Sequence, residues 1–245
     1  YVVEPDWLAK LAPYFADPTV GFVQAPQDHR DWAHDRFQEL CNFEYTGFFH
    51  IGMVHRNERD AIIQHGTMTM IRRSALQGLG GWAEWCICED AELGLRLMAN
   101  GYRSVYVNHV FGRGLTAQSF AGYKGQRYRW AYGAVQILKR YWRQLVPGAR
   151  GTALTAGQRF HFLTGWGPWF ADGLQLLFTV AALFWTIGLL AAPKYFEFPI
   201  AAFLVPTIGM FAFKMVHCLW LYRLKVESTW GQRIGAAIAA TALTH

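Results

Sequence analysis

The chain is short of charged residues. Asp, Glu, Lys and Arg make up 16% of its 245 residues, whereas an ordinary soluble domain carries roughly 25%. The shortage is concentrated in the last third, which indicates membrane helices. Acidic residues are the scarcer kind, 17 against 23 basic ones, and the formal net charge is +6. Because the basic residues cluster between Arg113 and Arg159, beside apolar stretches, we expect a cytoplasmic membrane flank that also attracts phosphorylated substrates.

Other absences exclude further classes of protein. The four cysteines are too few and too irregularly spaced for a disulfide framework, so we expect free thiols in a reducing compartment. There is no His-Glu-x-x-His pattern, and the nine histidines lack the spacing of a metal site. No helix-turn-helix, RNP-like or zinc-finger pattern accompanies the positive charge, so nucleic acid is not an expected partner.

Helix and strand patterns alternate over residues 1–117 and predict an α/β fold. Short apolar runs predict strands at residues 20–24 and 103–107, and alternation predicts another at 65–71. A helix is expected at residues 31–49. The polar segment 55–60 and the glycine-bearing segment 112–115 are typical of loops.

Two adjacent carboxylates, Glu89 and Asp90, fall in the first turn of a helix predicted at residues 88–97. The helix dipole favours carboxylates there, so one interpretation is that they only stabilise the helix start. The other is that a carboxylate at this position reaches into a cleft and accepts a proton. The dipole is expected to keep such a carboxylate ionised, and to weaken it as a base.

A long helix is predicted at residues 118–141 and contains Gln-Arg-Tyr-Arg-Trp at 126–130. The i, i+3, i+4 relation places Gln126, Arg129 and Trp130 on one face, whereas Arg127 is expected to be a surface charge. Such a face can bind an oxyanion and offer a flat ring to a sugar. The alternative is that Arg129 is a solvated helix charge and Trp130 a core residue.

The last third of the chain predicts membrane segments. The helical pattern continues to about residue 145 with the composition of a helix that lies on a membrane surface. Apolar runs at residues 173–192 and 198–222 are long enough to span a bilayer, and a third span begins near residue 234. Basic residues before the first run and after the second place residues 1 to about 165 in the cytoplasm.

In this order the motifs resemble those of the processive, membrane-embedded family 2 glycosyltransferases, which include cellulose, chitin and hyaluronan synthases. Residues 23–26 resemble the family's Val-Gln-Thr-Pro element, and residues 66–76 resemble its Gly-Thr and Arg-Arg-x-Ala-Leu element. Residues 88–90, Cys-Glu-Asp, stand where the family has Thr-Glu-Asp, and residues 126–130 match its Gln-x-x-Arg-Trp element. The sequences around residues 88–90 and 126–130 most resemble those of bacterial cyclic β-glucan synthases of the β-1,3-glucosyltransferase kind.

The resemblance implies a three-part organisation. Residues 1–117 would be the C-terminal part of a cytoplasmic GT-A domain, residues 118–165 the interface helices, and residues 166–245 the transmembrane region. The family's metal-binding Asp-x-Asp is absent from this chain, which also starts without methionine. We therefore expect a piece of a longer protein that is inactive alone, with Mg²⁺ or Mn²⁺ bound by the missing segment.

The resemblance also implies an activity: inverting transfer of a glucosyl unit from UDP-glucose to a growing β-glucan at the bacterial inner membrane, coupled to export. Asp90 would be the base, with Glu89 orienting its neighbours. Arg129 and Gln126 would bind the diphosphate and Trp130 the acceptor sugar. The other substrate-binding residues it implies are Gln24, Gly66 and Thr67.

Three alternatives remain open at this point. A non-catalytic membrane module would keep the same scaffold to bind glycan or lipid. A synthase that uses another nucleotide sugar, such as UDP-N-acetylglucosamine, would share the same motifs. A transferase that makes single additions to lipid-linked sugars is the third, although the Gln-x-x-Arg-Trp element favours processive synthesis.

Overall fold

The computed structural model describes residues 1–195 and 200–241. Its strands form two three-stranded sheets. One sheet has the order β4-β2-β5, with β2 antiparallel to β4 and parallel to β5, and the other has the order β1-β6-β3. The strands are β1 (Val2–Val3), β2 (Val20–Gln24), β3 (Asp28–His29), β4 (Thr69–Ile71), β5 (Arg103–Tyr106) and β6 (Gly112–Gly114).

Helices surround these sheets and extend away from them. Short 3₁₀ and π segments occupy Ala12–Ala16 and Phe48–Met53. The α-helices are α1 (Trp7–Leu11), α2 (Arg36–Gly47), α3 (Val54–Asn57), α4 (Arg73–Gly78), α5 (Glu89–Ala99), α6 (Phe120–Leu145), α7 (Ala156–Ala191), α8 (Ile200–Lys225) and α9 (Trp230–Thr241).

Helix α5 packs on the β4-β2-β5 sheet because its apolar residues keep helical spacing. Leu93 and Leu97 are fully buried, as is Phe22 of β2, and all three belong to the main hydrophobic core. The chain leaves the helix at Gly101, whose φ of +86° suits glycine. The core therefore fixes the axis of α5 and, with it, the position of the two carboxylates in its first turn.

Local capping sets where the long helices begin. The Ser119 hydroxyl accepts a hydrogen bond from the Gly122 N–H at the start of α6. At the start of α7, Thr155 and Gln158 form a capping box in which each side chain bonds the other's backbone N–H. These caps explain why both helices begin after a polar residue.

Most elements predicted around the site are confirmed: the strand at 20–24 and the helices at 88–97 and 118–145 occur as β2, α5 and α6. Residues 55–57 were expected in a loop, but the helix continues to Asn57, whose side-chain oxygen accepts the Tyr106 N–H. The loop expected at 112–115 is also wrong, because β6 pairs with both β1 and β3.

Helices α7, α8 and α9 occupy the sequence of the three predicted membrane spans, of which residues 198–199 and 242–245 lie outside the described residues. Helix α9 packs on α2, and a Cβ at Gly235 would lie 2.3 Å from Leu40 Cδ2. Over residues 1–195 and 200–241, no helix combines the length and the hydropathy needed to cross a bilayer.

Candidate active site

A cavity of about 470 Å³ lies where the first turn of α5 meets the middle of α6. The segment 63–65, which precedes β4, forms another wall. Trp166 and Trp169 of α7 and two alanines of α9 close it. Both carboxylates of the predicted Glu-Asp pair line this cavity, and so do the arginine and tryptophan of the Gln-x-x-Arg-Trp element. The fold thus brings together two motifs that lie about forty residues apart in the sequence.

The two motifs meet through Cys88, the residue just before the carboxylates. A Cβ at Gly133 of α6 would lie 2.4 Å from Cys88 Sγ, so only glycine allows this approach. The Cys88 thiol also lies 3.5 Å from the Arg129 carbonyl oxygen. Burial raises the pKa of this thiol to about 12. Cys88 is therefore an unreactive packing residue that docks the start of α5 on α6.

Asp90 lines the cavity and is partly buried. Its Oδ1 accepts a hydrogen bond from the Ala91 N–H at 2.7 Å. A Cβ at Gly66 would lie 3.2 Å from Asp90 Oδ2, so the backbone passes close to the carboxylate there. Burial raises the pKa of Asp90 above its usual range, and hydrogen bonds from the backbone at Ala91 and Gly66 oppose the rise.

This direction corrects one expectation from the sequence. The helix dipole was expected to weaken Asp90 as a base, but desolvation outweighs the favourable backbone groups and makes the carboxylate more basic than an exposed Asp. Glu89 also lines the cavity but is exposed to solvent. The neighbouring carboxylates therefore differ in exposure, since Glu89 is open to solvent and Asp90 is partly buried.

The predicted face of α6 is present, with its residues placed at different depths. Arg129 is exposed at the cavity. Trp130 is partly buried, and its ring makes an edge contact with Tyr45 at 5.8 Å between centroids. Gln126 does not line the cavity, and its Oε1 accepts a hydrogen bond from the Tyr45 hydroxyl at 2.7 Å. Arg129 and Trp130 are thus available to a ligand, whereas Gln126 holds the tyrosine behind the tryptophan.

Arg127 was expected to be a surface charge, and this prediction is wrong. Its side chain is only 12% exposed and forms an ion pair with Glu44 of α2, which is 16% exposed. The guanidinium carbon lies 4.4 Å from the Trp130 ring centroid, 4.9 Å from that of Tyr45 and 4.8 Å from that of Tyr123. The interior places Arg127 there because an acidic partner and these rings replace its water.

Gln24 and Thr67, two of the predicted substrate-binding residues, do not line the cavity. Gln24 is fully buried, and its amide nitrogen donates to the carbonyls of Ala25, Thr67 and Met68 at 2.9, 2.9 and 3.2 Å. Its Oε1 accepts the His65 N–H at 2.9 Å. Gln24 therefore fixes the segment that leads into β4, and Thr67 is exposed on that segment. Their substrate-binding role stays a prediction.

Several cavity residues were missed by the sequence analysis, among them Gln64 and His65. Gln64 is 1% exposed, and neither atom of its amide has a hydrogen-bond partner in the described part of the chain. His65 lies next to it between Phe48 and Phe49, and its Nδ1 also lacks a partner there. Desolvation lowers the pKa of His65 to about 4, so its imidazole is neutral at physiological pH. In the sequence, only their position just before Gly66 indicated that Gln64 and His65 belong to the site.

The described residues do not supply a metal site of their own. No group of three or more His, Cys, Asp or Glu side chains is clustered so as to hold an ion within 1–195 and 200–241. Metal ligands on an Asp-x-Asp segment outside this chain stay a prediction.

The cavity thus combines a partly buried carboxylate with an arginine and a tryptophan on a mixed α/β scaffold. The family described as "Glycosyl transferase family group 2" matches residues 2–223. The chain therefore belongs to this family, and the prediction of a family 2 glycosyltransferase is confirmed.

Curated relatives include cellulose synthases. The chain is 29% identical over 174 residues to "Cellulose synthase 2" of Novacetimonas hansenii, covering 69% of this chain and 10% of that protein. It is 27% identical over 186 residues to "Cellulose synthase 1 catalytic subunit [UDP-forming]" of Komagataeibacter xylinus, covering 72% of this chain and 24% of that protein. The matched region thus spans a quarter or less of each relative's length.

Among solved structures, the chain is similar to "Mannosyltransferase PcManGT from Pyrobaculum calidifontis in complex with GDP-Man and Mn2+". The TM-score is 0.51 and the identity 21%, with 97% of this chain and 59% of that chain covered. At this identity the likeness concerns the fold alone. It confirms a GT-A-like glycosyltransferase fold of mixed α and β content.

Proposed function

We propose that this chain carries the acceptor side of a β-glucan synthase site, which transfers a glucosyl unit from UDP-glucose with inversion. One observation carries the proposal: the partly buried Asp90 lines the same cavity as Arg129 and Trp130. A base, a cation and a flat aromatic ring around one cavity are the groups that this transfer needs. The similarity to cellulose synthases supports the glucan as product.

Asp90 is the proposed base. The acceptor hydroxyl oxygen attacks the anomeric carbon of the donor from the side opposite the diphosphate. The new C–O bond forms as the bond to the diphosphate oxygen breaks, and the hydroxyl proton passes to Asp90. A raised pKa suits this role, because a more basic carboxylate takes the proton more readily. Glu89, exposed beside it, orients neighbouring groups.

Arg129 and Trp130 are proposed to hold the two substrates. Arg129 is a permanent cation at the cavity and neutralises charge on the leaving diphosphate. The partly buried Trp130 offers its ring to the acceptor sugar. Gln126 supports this face through Tyr45, which touches the Trp130 ring.

The proposal includes a divalent cation, Mg²⁺ or Mn²⁺, on ligands outside the described residues. The similar mannosyltransferase structure contains Mn²⁺ together with GDP-mannose. An ion of this kind would neutralise diphosphate charge. The steps assigned above to Asp90, Arg129 and Trp130 involve this chain's own side chains alone.

Contact with a lipid bilayer is also part of the proposal. Helices α7 and α8 expose many large apolar side chains, and such patches mark interaction surfaces. Among them are Leu177, Phe178, Phe184 and Leu190 of α7 and Met210, Phe211, Phe213 and Val216 of α8. We propose that these faces contact acyl chains at the bacterial inner membrane. Recovery of the full-length protein in the supernatant after alkaline carbonate extraction would contradict this.

The test of the reaction compares Asp90→Asn with the wild-type full-length protein. We expect loss of polymer from UDP-glucose while UDP affinity stays within about twofold, because the substitution removes the base but not the diphosphate site. The matched control is Glu89→Gln, which alters the exposed neighbour and is expected to retain more activity. A polymer yield from Asp90→Asn equal to that of wild type would remove Asp90 from the role.

A further inference from the structure

We propose that Gln64 is a binding residue that recognises a hydroxyl group of a pyranose ring in the cavity. This inference rests on the proposed function, since it names a further contact of the same site. It starts from the Gln64 amide, which is 1% exposed and lacks a partner at both Nε2 and Oε1 among the described residues. Burying such a group unpaired is costly, so native structures rarely keep it without a use.

The fold holds Gln64 at the cavity wall. The two residues before it, Ile62 and Ile63, are buried in the main core, which fixes the backbone that leads into Gln64. Behind it lies α5, where a Cβ at Gly94 would be 2.8 Å from Gln64 Cβ and 3.6 Å from Gln64 Oε1. Glycine at position 94 therefore leaves room for the Gln64 side chain to pack against α5.

Other unpaired polar atoms lie around the same cavity. His65 Nδ1 and Arg127 Nε are both buried, and neither has a partner in the described part of the chain. His65 and Arg127 line the cavity together with Gln64. Three side chains that line one cavity thus each carry an unpaired polar atom, which indicates a polar ligand in that cavity.

The chemistry of these atoms selects a neutral hydroxyl group. A carboxamide offers one acceptor and two donors side by side, and a sugar hydroxyl both donates and accepts. Two of the side chains around this amide carry no uncompensated charge, because His65 is neutral and Arg127 is paired with Glu44. The wall of Trp166 and Trp169 suits the apolar face of a sugar ring. A diphosphate would instead go to the exposed Arg129.

The test replaces Gln64 by Met, which keeps its length and removes the amide. An amide with no protein partner contributes no hydrogen bond to folding, so Gln64→Met should match or exceed the wild-type Tm. The control is Gln158→Met. That buried glutamine accepts the Thr155 N–H and donates to the Asp60 carbonyl, so its variant should have a lower Tm. A comparable loss of Tm in Gln64→Met would overturn the inference.

Activity assays decide which sugar carries the hydroxyl. In the full-length protein, Gln64→Met should raise the KM of either a glucan oligosaccharide acceptor or UDP-glucose by about tenfold and leave the other unchanged. Deoxy analogues of the affected sugar, each lacking one hydroxyl, identify the group. One of them should raise the KM of the wild type by a similar factor and leave the KM of Gln64→Met unchanged. Both KM values within twofold of wild type would refute the role.

If the wild-type protein transfers no sugar, the proposed reaction fails but the inference is still decided by binding. Calorimetric titration of wild type and Gln64→Met with the oligosaccharide and with UDP-glucose supplies that readout. About tenfold weaker binding of one ligand to Gln64→Met would support the hydroxyl site. Equal binding to both proteins, or binding to neither, would overturn it.

Discussion

The ion pair between Arg127 and Glu44 is expected to be a major stabilising contact beneath the site. Both side chains are nearly buried, at 12% and 16% exposure, and three aromatic rings surround the guanidinium. Replacing Arg127 by Met fills much of the same volume and leaves the Glu44 carboxylate without its cation. Breaking one half of a buried pair costs about 3–5 kcal/mol.

This cost should be visible in thermal unfolding. A change of 1 kcal/mol shifts the Tm of a chain of this size by about 2–4 °C, so Arg127→Met should lower it by roughly 6–20 °C. The control is Arg113→Met, which breaks the pair of Arg113 with Asp28. That arginine is 58% exposed, and a pair of this kind is worth about 0–1 kcal/mol.

The double variant Glu44→Leu/Arg127→Met distinguishes the effect of an unpaired buried charge on stability from the effect of losing Arg127 on activity. Removing both charges leaves no unpaired ion in the interior, so most of the lost stability should return. Its activity should stay low, because the guanidinium that supports the Trp130 ring is still missing. A single variant Arg127→Met within 1 kcal/mol of wild type, or a double variant no more stable than that single one, would refute the reasoning.

Four further predictions concern Asp90, the packing at Gly47, and Trp130. Because the pKa of Asp90 is raised, its carboxyl group takes up a proton at a higher pH than an ordinary Asp does. As the pH is lowered, activity should therefore be lost before the pH reaches the ordinary Asp pKa of about 4. Loss of activity only at or below that pH would contradict the prediction. Because folding favours the protonated form of such a group, Asp90→Asn should also raise the Tm at neutral pH, and a lower Tm would indicate a structural role. Gly47→Ala should lower the Tm, since its Cβ would lie 2.0 Å from the Tyr222 hydroxyl, whereas Gly52→Ala, with nothing within 4 Å, should not. Trp130→Ala should raise the KM for the acceptor by a larger factor than the Kd for UDP. A selective loss of UDP binding would exclude the stacking of Trp130 on the acceptor.

Local pattern was sufficient where the signal lies within one element. The apolar spacing of α5 and the polar residues before α6 and α7 are visible in the sequence, and these elements occur close to where they are predicted. The positions of Glu89 and Asp90 can also be predicted from the sequence, because their place in a first turn depends only on where α5 begins. The basicity of Asp90 cannot, since it depends on burial by segments distant in the sequence.

Contacts between distant segments account for the features that were missed. Arg127 stands three residues before Trp130, a spacing that also predicts a shared helix face, but its partner Glu44 lies 83 residues away. Strand β6 is Gly-Arg-Gly, which has low strand propensity and pairs only because β1 and β3 flank it. The unpaired amide of Gln64 is a property of the assembled cavity and leaves no pattern in the sequence.

The most direct test of the account measures labelled sugar incorporation by membranes that contain the full-length protein. UDP-glucose is compared with UDP-N-acetylglucosamine, with and without Mg²⁺, in wild type and in Asp90→Asn. The account predicts metal-dependent polymer from UDP-glucose in wild type and none in the variant. Polymer from UDP-N-acetylglucosamine would assign another donor, and incorporation from neither sugar would contradict the synthase proposal in favour of a glycan- or lipid-binding module.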